Sequence, residues 1–189
     1  TQGMVCHETY KDHENNWVSP DEIEIINGEK YLKKDPSKKI KVGASESMSK
    51  SKKNTIDPEH IIKNFGADAA RLFILSDSPP EKDVQWSEEG ITSSFKFIQK
   101  LWGLNSKILE EIKKNHSEDI DEDLEKQTNK FLKMITKNLE DFSYNKIIAN
   151  FYEMYSWLND KIKKSYTKES LVKNYEKILV SMIPVIPHF

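Results

Sequence analysis

The sequence Ser-Met-Ser-Lys-Ser-Lys-Lys-Asn, residues 47–54, separates two parts of the chain that have different patterns. Before it, short stretches of alternating polar and apolar residues predict strands. After it, apolar residues recur at helical spacing almost to the last residue. The loop carries Lys50, Lys52 and Lys53 among small hydroxyl residues. Because a flexible lysine can place a compact positive charge on a polyphosphate, this loop is a candidate site for nucleotide chemistry.

The residues before this loop predict a small β-rich element. Residues 22–26, Glu-Ile-Glu-Ile-Ile, alternate polar and apolar side chains as a half-buried strand does. Asn27-Gly28 is a strong signal for a tight hairpin turn, and residues 35–37, Asp-Pro-Ser, predict a second turn. The extended segments that we expect are residues 1–7, 22–26, 30–32 and 40–42.

The loop is followed by signals for two short helices. Asp57 is a good N-cap, and Pro58 suits the first helical position, where no backbone N–H is needed. Gly66 is expected to end this helix. A second helix is expected from Ala67 to the break at residues 78–80, Ser-Pro-Pro.

Four amphipathic helices are expected after residue 86. Ser87 is predicted to cap the first, a polar link at residues 115–123 precedes the second, and the fourth is expected to start near Thr167. Apolar residues recur at spacings of three, four or seven, as on one face of an α-helix. The residues expected to face the core are, helix by helix, Ile91, Phe95, Ile98, Trp102, Leu109 and Ile112; Leu124, Phe131, Ile135, Leu139 and Phe142; Ile148, Phe151, Tyr155, Leu158 and Ile162; and Leu171, Tyr175, Ile178 and Met182. Short links between such helices predict an antiparallel bundle, so the expected fold class is mainly α, with a small β-rich insert and a loop segment before the bundle.

Composition and charge exclude several kinds of function. The 189 residues have a formal net charge of −2 and a single arginine, Arg71, so there is no global signal for nucleic-acid binding. A single cysteine, Cys6, excludes an internal disulfide, and with only His7 beside it we expect no metal site. No apolar run is long enough to cross a bilayer and no signal-peptide pattern is present. We therefore expect a cytoplasmic protein with no membrane partner.

Both ends of the sequence are expected to be cut. The chain opens on residues 1–5, Thr-Gln-Gly-Met-Val, without a lead-in, and it stops within the apolar residues 183–189. This pattern favours an internal piece of a longer protein.

The loop and its neighbours resemble a known family. Residues 48–51, Met-Ser-Lys-Ser, followed by residues 52–54, Lys-Lys-Asn, by Asp57-Pro58 and by residues 66–71, Gly-Ala-Asp-Ala-Ala-Arg, are similar in order and spacing to the second signature of class I aminoacyl-tRNA synthetases. Further stretches narrow the resemblance to the bacterial-type leucyl-tRNA synthetases. These stretches are residues 1–5, residues 16–20 (Asn-Trp-Val-Ser-Pro), residues 78–81, Trp86-Ser87, residues 97–102 and residues 183–188.

The resemblance implies a role for the loop. In that family it assists the ATP-dependent activation of leucine by stabilising the departing pyrophosphate. The ATP/pyrophosphate-binding loop would be Ser47, Met48, Ser49, Lys50 and Ser51, with Lys50 as the catalytic residue. The implied substrate is ATP with Mg²⁺, without a tightly bound cofactor, and the implied partners of the full-length enzyme are leucine, ATP and tRNA(Leu), without DNA. The family's first ATP signature, leucine pocket and editing domain are not in this sequence, so the chain alone is expected to be inactive.

The resemblance also implies a division of the chain. Residues 1–9 would end the Rossmann-type catalytic domain, and residues 10–44 would form a β-rich insert specific to leucyl enzymes. Residues 45–86 would carry the signature loop and a segment that contacts the tRNA stem. Residues 87–189 would form the helical anticodon-binding bundle, which binds tRNA and continues past the C-terminus of this chain.

The sequence departs from the family signature at position 47. The signature begins with lysine and this chain has Ser47, so either the first cation is dispensable or the activity is reduced. Two alternatives remain open. The same region of a valyl-, isoleucyl- or methionyl-tRNA synthetase shares the loop and the bundle. A noncatalytic RNA-binding helical module could also have kept a relic of the loop, and Ser47 is the residue that supports it.

Overall fold

The structure is a computed structural model that describes residues 3–114, 122–162 and 166–189. Two predictions lie partly outside the described residues. These are the resemblance at Thr1 and Gln2, and most of the polar link predicted at residues 115–123. The chain forms two compact units. The first comprises Thr1–Asn64 with Glu81–Glu88, and the second comprises Phe65–Pro80 with Glu89–Phe189.

The first unit contains two three-stranded sheets. The strands are β1 (Val5–Lys11), β2 (Ile23–Ile26), β3 (Glu29–Leu32), β4 (Asp35–Lys39), β5 (Lys41–Ser47) and β6 (Val84–Gln85). One sheet has the order β5-β1-β6, with β1 antiparallel to β5 and parallel to β6. The other is the antiparallel meander β2-β3-β4. A small apolar cluster of Tyr10, Val18 and Ile40, with Ile23 and Leu32 against it, lies in this unit.

The predicted hairpin is confirmed. Asn27 and Gly28 both have positive φ, 51° and 82°, as a two-residue turn between β2 and β3 requires.

The turn predicted at residues 35–37 was wrong, because these residues begin strand β4. Proline is tolerated there because β4 is the edge strand of its sheet, where one row of N–H groups has no partner strand. Similarly, the strand predicted at residues 40–42 is longer, since β5 continues to Ser47 along β1. The extended segment predicted at residues 1–7 corresponds to β1, which begins at Val5 and ends at Lys11.

The helices are α1 (Pro58–Phe65), α2 (Ala67–Ser76), α3 (Glu88–Ile112), α4 (Glu122–Glu140), α5 (Tyr144–Lys161) and α6 (Lys168–Met182). The start of α1 at Pro58 and the start of α6 after Thr167 agree with the sequence signals. Asp57 Oδ1 accepts a hydrogen bond from Glu59 N at 3.0 Å, and Thr167 Oγ1 accepts one from Ser170 N at 3.0 Å. In the second unit α4 packs against α5 and α6, and α2 packs against α5. The prediction of a mainly α fold with a small β part is confirmed.

The residues predicted to face the core agree with the observed burial better in some helices than in others. In α6 all four predicted residues are buried. In α3 the predicted face was wrong in part, because Trp102 and Leu109 are each 47% exposed. The residues of α3 that enter the core instead are Phe97, Leu101, Leu104 and Ile108, beside Ile91. The prediction that Phe142 faces the core from the second helix was also wrong. It is 64% exposed and lies in the turn after α4, at φ 52°.

Gly3 supplies a test of the close approach between the residues that precede β1 and those that precede β6. A Cβ atom at this position would lie 1.9 Å from the carbonyl oxygen of Lys82, and backbone cannot rotate out of the way. We predict that Gly3→Ala lowers the free energy of unfolding by about 1–3 kcal/mol, the usual cost of overpacking, measured by urea denaturation.

Gly103→Ala is the matched control. Gly103 lies within α3, and a Cβ there would meet nothing within 4 Å. The same substitution should raise stability by about 0.5–1 kcal/mol, because alanine has the higher helix propensity. Equal stabilities for Gly3→Ala and the unsubstituted chain would contradict the close approach.

Candidate functional site

The candidate loop leaves the sheet at the end of β5. Ser47, the last residue of that strand, is half-buried and pairs with Cys6 of β1, and Glu46 pairs with His7. Met48 N donates a hydrogen bond to Val5 O at 3.4 Å. The first residues of the loop are therefore fixed to β1, which is also the strand that carries β6 on its other edge.

The loop then closes into a tight turn. Lys53 N donates to Lys50 O at 3.2 Å, and Lys53 has φ 55°. Ser49 Oγ accepts from Lys52 N and lies 3.3 Å from Ser51 Oγ. Two of the three serines predicted to belong to the site, Ser49 and Ser51, thus contact each other, and Ser49 also contacts the turn.

Asn54 connects the end of this turn to the sheet. Its side chain is 0% exposed. Asn54 Oδ1 accepts from Ser49 N at 2.8 Å, and Nδ2 lies 3.2 Å from both His7 O and Glu46 O and 3.5 Å from Ser47 O. One buried amide therefore joins the beginning of the turn, strand β1 and strand β5.

His7 completes the connection between β1 and the loop. Its Nδ1 lies 3.3 Å from Asn54 O, and since a carbonyl oxygen only accepts, Nδ1 must carry the hydrogen. The ring is 8% exposed and contacts the Tyr10 ring edge-on at 5.8 Å. Burial lowers the pKa of His7 from its usual value, and the hydrogen bond to Asn54 O opposes this only in part.

The three lysines of the loop have different surroundings. Lys52 forms an ion pair with Glu46. Lys50 and Lys53 are exposed, and among the residues that the structure describes neither takes part in an ion pair. Lys50 therefore presents an uncompensated positive charge on a turn whose backbone is fixed. Its predicted catalytic role, and the binding role predicted for Ser47, Met48, Ser49 and Ser51, stay predictions.

Strand β1 also holds the β2-β3-β4 sheet in the first unit. Lys30 of β3 donates to the Glu8 carboxylate and to Tyr10 Oη at 3.1 Å, and its ammonium lies 4.7 Å from the centroid of the Tyr10 ring. Tyr10 Oη in turn donates to Glu8 Oε2 at 2.9 Å. The hydrogen bond from Lys30 is the main reason why the pKa of Glu8 is lowered. The meander is thus tied to β1 by an ion pair as well as by the small apolar cluster.

Cys6 is 6% exposed, and burial raises the pKa of its thiol. Within residues 3–114, 122–162 and 166–189, no group of three or more His, Cys, Asp or Glu side chains is arranged to hold a metal ion. Over the same residues no helix has the length and apolar character needed to span a membrane.

The only arginine in the sequence stabilises the end of the second unit. Arg71 of α2 donates to Val185 O at 2.9 Å and to Pro184 O at 2.8 Å. Asp68, one turn earlier, accepts from His188 N at 3.0 Å and lies 2.8 Å from His188 Nδ1. The residues 66–71 of the resemblance therefore anchor the C-terminal residues.

Helix α4 carries a regular basic surface in the second unit. Lys126, Lys130, Lys133 and Lys137 are all exposed, and their spacing of four, three and four residues places them on one face of the helix. At about 1.5 Å per residue this lysine stripe is about 16 Å long. In the part of the chain that the structure describes, none of the four lysines forms an ion pair.

The sequence did not single out Asn54 or His7 as part of the site. Asn54 is among the residues that carry the resemblance, but the sequence assigned no role to its side chain. No signal in the sequence brought His7 to the loop, because 47 residues separate it from Asn54.

The lowered pKa of His7 predicts how stability depends on pH. The folded chain binds fewer protons at this site than the unfolded chain does, so the free energy of unfolding should fall as the pH falls below about 6.5. His7→Asn keeps an N–H donor near the position of Nδ1 but does not titrate. We expect the loss of stability between about pH 7.5 and about pH 5.5 to be smaller in this variant, measured by urea denaturation. The same pH dependence in both proteins would contradict a buried neutral His7.

Comparisons with known proteins agree with the resemblance stated from the sequence. The family model of class I tRNA synthetases for isoleucine, leucine, methionine and valine matches residues 39–87. Leucine–tRNA ligases of Rickettsia massiliae and Orientia tsutsugamushi are 38% and 42% identical over 189 residues. The enzyme of Wolbachia pipientis subsp. Culex pipiens is 41% identical over 192 residues. These alignments cover 100% of this chain and 22% of each relative.

A solved structure shows the same fold. The LeuRS–tRNA–LeuAMS ternary complex of Agrobacterium radiobacter K84 matches with a TM-score of 0.65 at 23% identity, over 75% of this chain and 19% of that chain. The chain thus spans about a fifth of the length of the proteins that it matches. The resemblance to the leucyl-tRNA synthetases is confirmed: over its whole length the chain is homologous to one segment of the leucine–tRNA ligases.

Proposed function

We propose that this chain forms, within a leucine–tRNA ligase, the part that supplies a pyrophosphate-stabilising lysine and a helical surface for tRNA. The whole protein would activate leucine with ATP to leucyl-adenylate and transfer the leucyl group to tRNA(Leu) in the cytoplasm. The observation that carries this proposal is Lys50, an exposed and uncompensated cation on a fixed turn, in a chain homologous over its whole length to leucine–tRNA ligases.

The proposed step requires a cation that contacts the leaving pyrophosphate most strongly in the transition state. When the carboxylate of leucine attacks the α-phosphorus of ATP, the bond to the β-phosphate oxygen breaks and pyrophosphate leaves with added negative charge. A cation that contacts this charge more strongly in the transition state than in bound ATP lowers the barrier. Lys50 is suited to this role because its four-carbon stem can follow the departing group while the turn stays in place.

The other two lysines of the loop are less suited to the reaction. The charge of Lys52 is already balanced by Glu46. Lys53 occupies the left-handed position that closes the turn. Ser47, which stands where the signature has its first lysine, is the half-buried last residue of β5, so Lys50 would act without a second signature cation.

Magnesium has no ligands in this segment that we can name. The described residues offer no cluster of carboxylate, imidazole or thiolate groups, and magnesium in such reactions is bound largely by the substrate's phosphates. We therefore assign no residue of this chain to Mg²⁺.

The proposal includes the domain assignment made from the sequence. Residues 1–9 would end the catalytic domain, and residues 10–44 would be the leucyl-specific insert. Residues 45–86 would carry the signature loop and the segment that contacts the tRNA stem, and residues 87–189 would be the tRNA-binding bundle. A valyl-, isoleucyl- or methionyl-tRNA synthetase is less well supported, because the three relatives at 38–42% identity are leucine–tRNA ligases. The alternative of a noncatalytic RNA-binding module is supported by Ser47. An ATP–pyrophosphate exchange assay of Lys50→Ala distinguishes this alternative from a catalytic loop.

The lysine stripe of α4 is the surface that we propose for tRNA. Its four exposed ammonium groups follow one face of the helix and are not neutralised by described acidic partners. The chain as a whole carries a charge of −2, so attraction to RNA must come from a local surface. Contacts to phosphates position a nucleic acid but carry no sequence information. Binding through this stripe should therefore be insensitive to the anticodon sequence.

The first prediction from the proposed function concerns Lys50. In the full-length ligase that contains this chain, Lys50→Ala should reduce the maximal rate of leucine-dependent ATP–pyrophosphate exchange about 100-fold, the usual effect of losing one preorganised group that stabilises transition-state charge. The KM for ATP should change by less than about 3-fold, because ground-state binding is little affected.

Lys63→Ala is the control for the loss of one positive charge. Lys63 is an exposed residue of α1 in the first unit, and its removal should leave the exchange rate within about 2-fold of the parent enzyme. An unchanged rate in Lys50→Ala would remove the loop from the mechanism and favour the noncatalytic module.

The second prediction concerns the lysine stripe. Binding of tRNA to the chain should weaken with rising salt, because each contacted phosphate releases counterions. The double substitution Lys130→Gln and Lys133→Gln should reduce the slope of log K against log salt by about one for each lysine, measured by fluorescence anisotropy.

The matched control removes two other lysines of the second unit. Lys173 and Lys177 lie 3.6 Å and 3.9 Å from Glu125, so Lys173→Gln with Lys177→Gln makes the same change in net charge at a site where the two lysines share one carboxylate. We expect this control to keep the slope of the parent chain. Equal slopes for the two double variants would contradict a localised surface on α4.

A further inference from the structure

We propose that Asn54 is a positioning residue for Lys50: its buried amide holds the turn that presents the lysine. This inference rests on the proposed function of Lys50 but assigns a role to a different residue, which lies outside the predicted loop of residues 47–51.

The first support is the fit between the amide and its surroundings. Asn54 Oδ1 meets one donor, Ser49 N at 2.8 Å, while Nδ2 faces the carbonyl oxygens of His7 and Glu46 at 3.2 Å. A buried polar group without partners costs about 1–3 kcal/mol, so the side chain stays where all its partners are available. A carboxylate of the same size would place a second acceptor against those carbonyls.

The second support is where the contacts fall along the chain. Ser49 is the residue immediately before Lys50, and its N–H is the group that Asn54 holds. On the other side of Lys50, its own carbonyl accepts from Lys53 N, the residue before Asn54. The backbone of Lys50 is therefore held on both sides, by the bond from Ser49 N to Asn54 Oδ1 and by the bond from Lys53 N to Lys50 O.

The third support is the attachment of Asn54 itself. His7 makes two contacts with it: His7 O faces Asn54 Nδ2 at 3.2 Å, and His7 Nδ1 donates to Asn54 O at 3.3 Å. His7 lies in β1, the central strand of its sheet. The turn is thus attached to the central strand of its sheet, so motion during a reaction is left to the Lys50 side chain.

The experiment is a double-mutant cycle in the full-length ligase that contains this chain. Asn54→Ala should lower the maximal rate of leucine-dependent ATP–pyrophosphate exchange by about 10-fold to 100-fold, with the KM for ATP within about 3-fold of the parent value. In the Lys50→Ala background the same substitution should have almost no further effect, because the group that it positions is already absent. A residue with a merely structural role would lower the rate by the same factor in both backgrounds.

Asn64→Ala is the matched control for the loss of an asparagine amide. Asn64 is exposed and its Nδ2 lies 3.0 Å from His60 Nε2 on the same helix, so the exchange rate should be unchanged. If Lys50→Ala lowers exchange while Asn54→Ala does not, or if the two effects multiply, the positioning role is overturned and the role of Lys50 stands. If Lys50→Ala itself has no effect, the proposed function fails first.

A measurement on the unsubstituted chain covers the case in which Asn54→Ala does not fold. The amide of Ser49 lies in a loop, yet its hydrogen bond to a buried side chain should make it exchange as slowly with solvent as the amides of β1 and β5 do. Slow exchange, followed by NMR, supports the positioning role. Exchange at the rate of an open loop amide would overturn it.

Discussion

The buried side-chain amide of Asn54 joins the lysine loop to the sheet, and the geometry of the candidate site depends on it. Its donors and its acceptor meet groups from β1, from β5 and from the loop itself. Taking such a group out of water is unfavourable unless every hydrogen bond is replaced. The arrangement is therefore cooperative: the strands must be in register and the turn must be closed for the amide to be satisfied. The backbone of a lysine on such a turn is fixed, whereas the charged end of its side chain can move.

The distribution of charge follows from pairing within each unit. In the first unit Lys30 and Lys52 are matched to Glu8 and Glu46, and two loop cations, Lys50 and Lys53, remain exposed on the fixed turn. In the second unit acidic side chains balance lysines such as Lys173, while the stripe on α4 keeps its charge. A chain that is nearly neutral overall can therefore carry two localised positive sites. The first is the site proposed for pyrophosphate, and the second is the surface proposed for tRNA.

Part of this structure could be predicted because its signals are local. The Asn27-Gly28 turn, the start of α1 at Pro58 and the face of α6 depend on neighbouring residues alone. Other features depend on tertiary packing. Strand β4 contains a proline and is possible only at a sheet edge, and β6 has two residues and exists only beside β1. In α3 apolar residues cover more than one face of the helix. Packing in the bundle buries a set of these residues that differs in part from the predicted set. Lys50 could be named from the sequence through a resemblance, but its support by Asn54 and His7 required the fold.

The central claim is that Lys50 acts on the departing pyrophosphate and not on bound ATP, and a single-turnover experiment tests it most directly. The rate of leucyl-adenylate formation would be measured by rapid quench in the full-length ligase that contains this chain, with and without Lys50→Ala, as ATP is raised to saturation. The account predicts that the variant stays about 100-fold slower at saturating ATP, because the lost interaction belongs to the transition state. Recovery of the parent rate at high ATP would show that Lys50 only helps ATP to bind, and would contradict the account.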